Sequence, residues 1–292
     1  MIRKAVILVL LLTSVLGESA QTLQSRLMEL TESFPSEAGI ALLTPSGEII
    51  GVNRDKAFPL LSVMKFHQAL SVCQKLREEG RNLMETVHVT PSDLKPDTYS
   101  PMRDKYPQGG DFFVFEIIEY ALMESDNNAA DLLFRIAPAQ KVTRYVKDFG
   151  IEGCQILYSE DEMHQDPGRS YENASTPDAA VRLLESFFLR KDTDGFLEFL
   201  YDTMKGCQTG ENRIPRHISG LVPGITHKTG TGFPTLDGKI SAVNDIALIL
   251  LPDGSHCSLS VFLKDAASDM DSCEALIAQV GRVCVDYLLR QE

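Results

Sequence analysis

The apolar, strand-like stretches of this chain lie at its two ends, and helical spacing fills the middle. Gly39 to Thr44 is an apolar run, Pro45-Ser46-Gly47 turns the chain, and Glu48 to Asn53 continues as a second strand. Far downstream, Asp245 to Leu251 and Ser258 to Leu263 bracket another turn, Pro252-Asp253-Gly254-Ser255. Leu23, Leu27 and Leu30 have helical spacing, as do Leu276, Val280, Val283 and Tyr287 within Ser268 to Leu289. Between the ends, Phe113 to Met123, Ala129 to Ile136 and Pro177 to Leu189 are candidate helices. Thr176-Pro177-Asp178 opens the last of these, with proline in the first turn. The pattern predicts an α/β part plus an all-α part: an antiparallel sheet flanked by terminal helices, with a helical domain inserted. The boundaries read as 21–57 and 205–292 for the sheet domain and 58–204 for the helical domain. Tyr158 to Ser175 has no steady period and carries Pro167-Gly168, so it reads as a long loop; such loops in compact domains are often functional.

With 292 residues, 43% of them hydrophobic and 24% charged, the chain can bury a sizeable core. Its formal net charge of -13 argues against a nucleic-acid partner, which needs a basic face. Arg3 and Lys4 precede an apolar run from Ala5 to Leu16, shorter than the roughly 20 residues that span a bilayer. Residues 1–20 therefore read as a cleaved export signal ending among Gly17, Ser19 and Ala20, with the cut itself left open by Glu18. The mature protein is expected in the periplasm, as a monomer with no stable membrane association. Cys73, Cys154, Cys207, Cys257, Cys273 and Cys284 are scattered without a C-x-x-C pair, and are expected to be mostly unpaired thiols.

Several short stretches carry chemistry. Ser62-Val63-Met64-Lys65 enters a run free of Gly and Pro, so serine and lysine fall about one turn apart on one helix face. An unfavourable twin, Ser92-Asp93-Leu94-Lys95, is followed by Pro96, which pushes Lys95 out of helical geometry. By itself Ser62 could be no more than a helix cap. Ser125-Asp126-Asn127 lies between two helical runs and alone reads as a helix break; Ser125 also offers a hydroxyl and Asn127 an amide. In Lys228-Thr229-Gly230-Thr231-Gly232, lysine supplies a cation, and the glycines would let a ligand approach the backbone closely. Without a ligand this would be a turn with a solvated lysine. The histidines form no H-x-H or H-E-x-x-H pattern, so no metal or other cofactor is expected. His67 reads as a core or surface histidine, His227 has no assigned role, Cys207 to Gly210 reads as structural, and the glycosylation-like Asn173-Ala174-Ser175 reads as chance.

S-x-x-K, S-D-N and K-T-G in this order resemble class A β-lactamases and penicillin-binding proteins, and Asn244-Asp245 resembles an Asn-Asp pair on a late strand of that family. The resemblance implies a sheet domain and an all-helical domain with the site at their junction. It implies Ser62 as nucleophile, Lys65 as its partner, and Ser125 as proton carrier to the leaving nitrogen. Asn127, Lys228, Thr229, Gly230 and Thr231 would bind a β-lactam, with the N–H groups of Ser62 and Thr231 as oxyanion hole. Glu160 in Glu160-Asp161-Glu162-Met163-His164 takes the place of the hydrolytic base, with Glu162 and Asp161 as rivals. Met163 and His164 stand where a Leu and an Asn are common, and Asn173 follows, a pattern similar to an extended-spectrum, cephalosporin-directed branch. Tyr158 stands where many relatives have an Arg that pairs with an Asp at the loop's neck. The resemblance thus implies hydrolysis of penicillins or cephalosporins, cephalosporins preferred. A peptidoglycan D-Ala-D-Ala carboxypeptidase or a non-hydrolysing β-lactam binder is the alternative.

Overall fold

The computed structural model describes residues 23–290; the proposed export signal lies outside them. A helix, α1 (23–32), leads into the hairpin β1 (Glu37–Leu43) and β2 (Ile49–Val52). The chain leaves through β3 (Phe58–Pro59) and a single turn at Leu61–Val63 into α2 (Met64–Glu78). A small hairpin, β4 (Thr86–Val89) with β5 (Gly110–Phe113), encloses α3 (Pro101–Lys105). The helices α4 (Val114–Met123), α5 (Asn127–Ile136) and α6 (Ala139–Asp148) follow. Then come β6 (Cys154–Gln155), α7 (Glu160–Gln165), β7 (Ala174–Ser175), α8 (Pro177–Phe188) and α9 (Gly195–Lys205). The chain returns as β8 (Gly224–Thr231), β9 (Ile240–Leu250), β10 (His256–Ala266) and α10 (Met270–Leu289).

The main sheet has the order β2-β1-β10-β9-β8, antiparallel throughout, so the first strands of the chain pair directly with the last. This is the sheet expected from the two apolar ends. Side chains alternate between its faces with period two. Ile40, Leu42, Val243, Ala247, Ile249, Leu259 and Val261 pack with Leu23 and Leu27 of α1 and Ile277, Val280 and Val285 of α10. On the other face Ala41 and Leu43 meet Val181 of α8, while Ile246, Leu248 and Phe262 join the core of the helical part. Both faces are covered, which is why these strands read as near-continuous apolar runs. The same alternation sends Asn244 to the helical side and Asp245 to the terminal-helix side.

Helix α2 is the axis of the helical part and is buried nearly all round, from Met64 to Cys73. His67 belongs to this core: burial pushes its imidazole down to about 4, and Nδ1 lies 3.2 Å from Val63 O. Thr176 caps α8 with Pro177 in the first turn, as expected. Two helices were not legible. In α6 only Val142, Tyr145 and Val146 form its buried stripe beyond Ala139, and α9 is announced mainly by its cap, Asp194, which accepts from Phe196 N–H and Leu197 N–H. The stretch from Tyr158 to Ser175 is not a plain loop. It holds α7 and a turn at Pro167–Tyr171, and a capping box of Ser159 and Glu162 opens α7. Six residues are too few for a helical period to register, but the S-x-x-E signature was present. The twin motif at Ser92 is separated as expected: Pro91–Asp93 is an isolated turn and Lys95 reaches outward toward Asp161. All six cysteines are unpaired. No helix among the described residues is long and apolar enough to cross a membrane.

The sheet and helical parts are joined at the turn that carries Ser62. Strand β8 lies so close to it that a Cβ on Gly230 would fall 2.4 Å from Leu60 O. From β9, Asn244 Nδ2 donates to Pro59 O at 2.7 Å and to Leu60 O at 3.2 Å, all buried. Removing that donor strands buried carbonyl oxygens, so Asn244→Ala should lower the unfolding free energy by about 1–3 kcal/mol. Urea unfolding checks this; an unchanged midpoint and slope would mean that the clamp carries no stability.

Candidate active site

Ser62 sits in the turn before α2, and Leu61 ahead of it adopts φ +48°, a region that a bulky residue rarely occupies. Such strain persists only where surrounding contacts hold it; here Gly230 and Asn244 press on the same turn. One helical turn on, Lys65 is fully buried, and Nζ donates to Ser62 Oγ at 3.0 Å. It also donates to Ser125 O and Asn127 Oδ1, each at 2.6 Å. An ammonium has three N–H donors, and these three bonds use them all. Glu160 Oε1 lies 3.1 Å from the same nitrogen as an ion pair, yet has no hydrogen-bond donor of its own. The charge of Lys65 is thus compensated by a carboxylate whose buried Oε1 accepts no hydrogen bond within the protein.

The two outer residues of Ser125-Asp126-Asn127 turn into the cleft, while the middle one builds it. Asp126 is fully buried and caps α5 through Ala129 N–H at 2.8 Å. It also accepts from Ser100 Oγ and from Met102 N–H. Burial raises its carboxyl above the usual range, and those hydrogen bonds act in the opposite sense. The helix-break reading was therefore right for Asp126. Ser125, held at φ +60°, places Oγ 2.9 Å from Lys228 Nζ. Asn127 donates from Nδ2 to Thr98 Oγ1 at 2.8 Å.

Lys228 is not a solvated lysine. It is fully buried on β8, and burial, aided by the nearby charge of Lys65, pushes its ammonium down to about 7. The following Thr229 shares a 2.6 Å hydrogen bond between its Oγ1 and Thr209 Oγ1. The glycines of the motif sit where the protein packs closely on itself. The space over Gly230 is filled by Leu60 O, and that over Gly232 by Ser241 Oγ, 2.1 Å from where a Cβ would stand. They allow protein to pack on protein at these two points. Ser62, Ser125, Asn127, Glu160, Thr229 and Thr231 line one cleft of about 300 Å³. Lys65 and Lys228 lie beneath its wall.

The carboxylates of α7 are separated by their surroundings. Glu160 is 7% exposed and points at Lys65. Glu162 is spent on the cap, accepting Ser159 N–H at 2.9 Å, and Asp161 accepts from Gln165 Nε2 at 3.1 Å. His164 lines the cleft with Nε2 3.2 Å from Asp97 Oδ2, its ring edge-on to Phe233. At the loop's neck, Asn173 does by hydrogen bonding what an ion pair would do by charge. Its Oδ1 accepts Leu157 N–H at 2.8 Å and Tyr158 N–H at 3.0 Å, and Nδ2 donates to Tyr158 O at 2.8 Å. Asn173 is fully buried, so it is no glycan acceptor in the folded chain.

Two contributors were missed. Asp131 accepts Glu160 N–H at 2.9 Å on one oxygen and Asp161 N–H at 3.0 Å on the other, which fixes the start of α7 against α5. Burial, then the charge of Glu160, raise its carboxyl to about 7. The signal was its place four residues after Asn127, on the same helix face. Arg213 is buried, ion-paired to Glu274 at 3.1 Å, and donates to Gly230 O, Asn244 O and Thr231 Oγ1. Nothing in its sequence neighbourhood marks it.

The model of the beta-lactamase enzyme family matches residues 22–288. A beta-lactamase of Bacteroides uniformis is 33% identical over 287 residues, which cover 94% of this chain and 94% of that protein. The extended-spectrum beta-lactamase PER-1 of Pseudomonas aeruginosa is 31% identical over 261 residues, 87% of this chain and 83% of the relative. Among solved structures, the TLA-3 extended-spectrum beta-lactamase superposes with a TM-score of 0.88 at 33% identity, over 92% of this chain and 99% of that one. A class A beta-lactamase from Bacteroides cellulosilyticus gives 0.85 at 30% identity, over 94% and 99%. Likeness across almost the whole length, in sequence and in fold alike, means that the chain belongs to the beta-lactamase enzyme family, as a class A serine β-lactamase.

Proposed function

We propose that Ser62 opens the β-lactam ring and that Glu160 frees it again, with cephalosporins the preferred substrates. The observation that carries this reading is Lys65 Nζ standing 3.0 Å from Ser62 Oγ and 3.1 Å from Glu160 Oε1. Because Lys65 already donates all three protons, it can take the serine proton only after passing one to Glu160. If Glu160 takes it instead through water, the destination is the same. By either route the proton lost by Ser62 ends on Glu160. Ser62 Oγ then bonds to the lactam carbonyl carbon, and the N–H groups of Ser62 and Thr231 hold the oxyanion. The carbon–nitrogen bond breaks, and the ring nitrogen takes a proton from Ser125, which is made good by the proton held on Glu160, passed on through Lys65, so that Glu160 returns to the carboxylate form. Glu160 finally draws a proton from water as that water cleaves the ester and regenerates Ser62.

Lys228, Thr229 and Ser125 form the anchor for the substrate carboxylate, Asn127 meets the side-chain amide, and Gly230 keeps the Ser62 turn seated against β8. The cephalosporin preference draws support from the Met163-His164 pattern and from relatives described as extended-spectrum. Arg3, Lys4 and the apolar run to Leu16 support export to the periplasm, and residues 58–204 serve as the inserted helical domain.

Burst kinetics with a chromogenic cephalosporin test the core of this reading. Ser62→Ala should show no covalent labelling, and Glu160→Gln, lacking the proton acceptor of both steps, should acylate more slowly and then stall as the acyl-enzyme, losing at least about 10²-fold in steady turnover. A Glu160→Gln protein that turns over at the wild-type rate would remove Glu160 from the hydrolytic role. Asp131→Ala releases the N–H groups that aim Glu160. It should slow deacylation by about 10- to 100-fold, the equivalent of one charge-assisted hydrogen bond, and slow acylation less. Single-turnover measurement of both steps decides, since equal losses would mean general damage. Lys228 loses its proton above about 7, so the free enzyme loses its anchoring cation there. For an anionic β-lactam kcat/KM should fall as pH rises through that value, while kcat falls only at higher pH because the bound carboxylate holds the proton on. A flat kcat/KM profile to pH 9 would contradict this.

A further inference from the structure

Behind the cleft, on the far side of Lys228, lies a second cavity of about 510 Å³ whose wall includes Cys207 and His227. It is separate from the β-lactam cleft and shares no lining residue with it. His227 is buried on β8, and its Nδ1 lies 3.1 Å from Asp245 Oδ1 on β9. The imidazole and the thiol of Cys207 line the same cavity wall, near enough for each to act on the other's charge. Asp245 favours the charged imidazole, and an imidazolium near a thiol favours the thiolate, against the hydrogen bond that Sγ donates to Thr209 O at 3.5 Å. Cys207 alone among the cysteines is only partly buried; the other five are closed in the core. The thiol also touches the β-lactam site, since Sγ lies 3.5 Å from Thr209 Oγ1, which holds Thr229 Oγ1 at 2.6 Å.

We propose that Cys207 is a covalent modification site that takes small anionic disulfides from this rear cavity, and that an adduct there disables the β-lactam cleft. The reaction is an exchange. The thiolate of Cys207 forms a bond to one sulfur of the incoming disulfide, the reagent's own S–S bond breaks, and its other half leaves as a thiolate, so no further oxidant is needed. The groups that face the thiol are His227 and Lys228 on β8, with Asp245 behind the imidazole. Lys205, Arg216 and Glu211 line the cavity. Burial pushes the thiol up, but His227 and then Lys228 outweigh it and bring it below the usual thiol range. With Lys205 paired to Asp202 Oδ1 at 2.5 Å, Arg216 and the imidazolium of His227 against the single carboxylate of Glu211 favour an anionic reagent. An adduct on Cys207 has to displace Thr209, and with it the hydroxyl partner of Thr229.

The native full-length protein treated with 5,5′-dithiobis(2-nitrobenzoate) tests this. The expected result is one rapidly released equivalent of aromatic thiolate and an adduct mapped by mass spectrometry to Cys207. Cephalosporin turnover should fall in step with labelling and return on reduction. The labelling rate should plateau at a pH well below that of a free thiol. The neutral reagent 2,2′-dithiodipyridine should react at about a tenth of the rate or less. Cys207→Ser should take up no label and keep its own untreated activity under the reagent, and His227→Gln should label about tenfold more slowly near neutral pH. Labelling first at another cysteine, a rate that follows an ordinary thiol titration, or full labelling of Cys207 without loss of turnover would each overturn the proposal. Equal rates for both reagents would overturn the anionic preference. Only the turnover arm rests on β-lactam hydrolysis; the mapped adduct and its pH profile stand apart from it.

Discussion

The burial of one ammonium, that of Lys65, organises the active site. A lysine removed from water is unfavourable unless oxygen atoms replace its hydration. Here they come from different parts of the chain: Ser62 beside it, the Ser125 carbonyl and Asn127 amide at the start of α5, and Glu160 from α7. Each partner must be in place for the charge to be tolerated, so the folded state enforces their convergence. Three of those oxygens satisfy its donors, and the fourth, on the buried Glu160, compensates its charge while accepting no hydrogen bond within the protein.

The supports of Glu160 form a second layer with a consistent logic. Asp131 holds the backbone at the start of α7, the Ser159–Glu162 box closes the first turn, and Asn173 ties the neck of the loop. These are hydrogen bonds to backbone groups, and they define a conformation without a buried ion pair. Asn173 O also accepts Leu60 N–H at 2.8 Å, so the end of this loop is fastened directly to the turn that bears Ser62. Ser62 and Glu160 are held by one connected set of hydrogen bonds to main-chain groups.

The sheet was legible because both its faces are covered, which makes its strands uninterrupted apolar runs, and because turn residues separate them. Helices α4, α5, α8 and α10 were legible from period and caps. The short α7 and the sparsely apolar α6 were not, since a helix needs several turns before its period stands out. In the site, Ser62, Lys65, Ser125 and Lys228 were legible as residue types at fixed spacings. Arg213 was not, because its role arises from carbonyl oxygens on β8 and β9 that only the folded sheet brings to it. Gly230 shows that something comes close, and the packing of Leu60 on it is a contact that the sequence alone does not announce.

Asn244 and Asp245 are adjacent on β9 and serve opposite sides of the sheet. Asn244 grips the Ser62 turn, while Asp245 orients His227 and accepts Ile214 N–H at 3.2 Å. A misfolded chain in which β9 pairs one residue out of step would exchange the two, since a single-residue slip reverses every side chain. A carboxylate would then face the carbonyl oxygens of Pro59 and Leu60, and repel them. Correct pairing of the central sheet is thereby coupled to the seating of the Ser62 turn, and a molecule with its strands misaligned could not hold that turn in place.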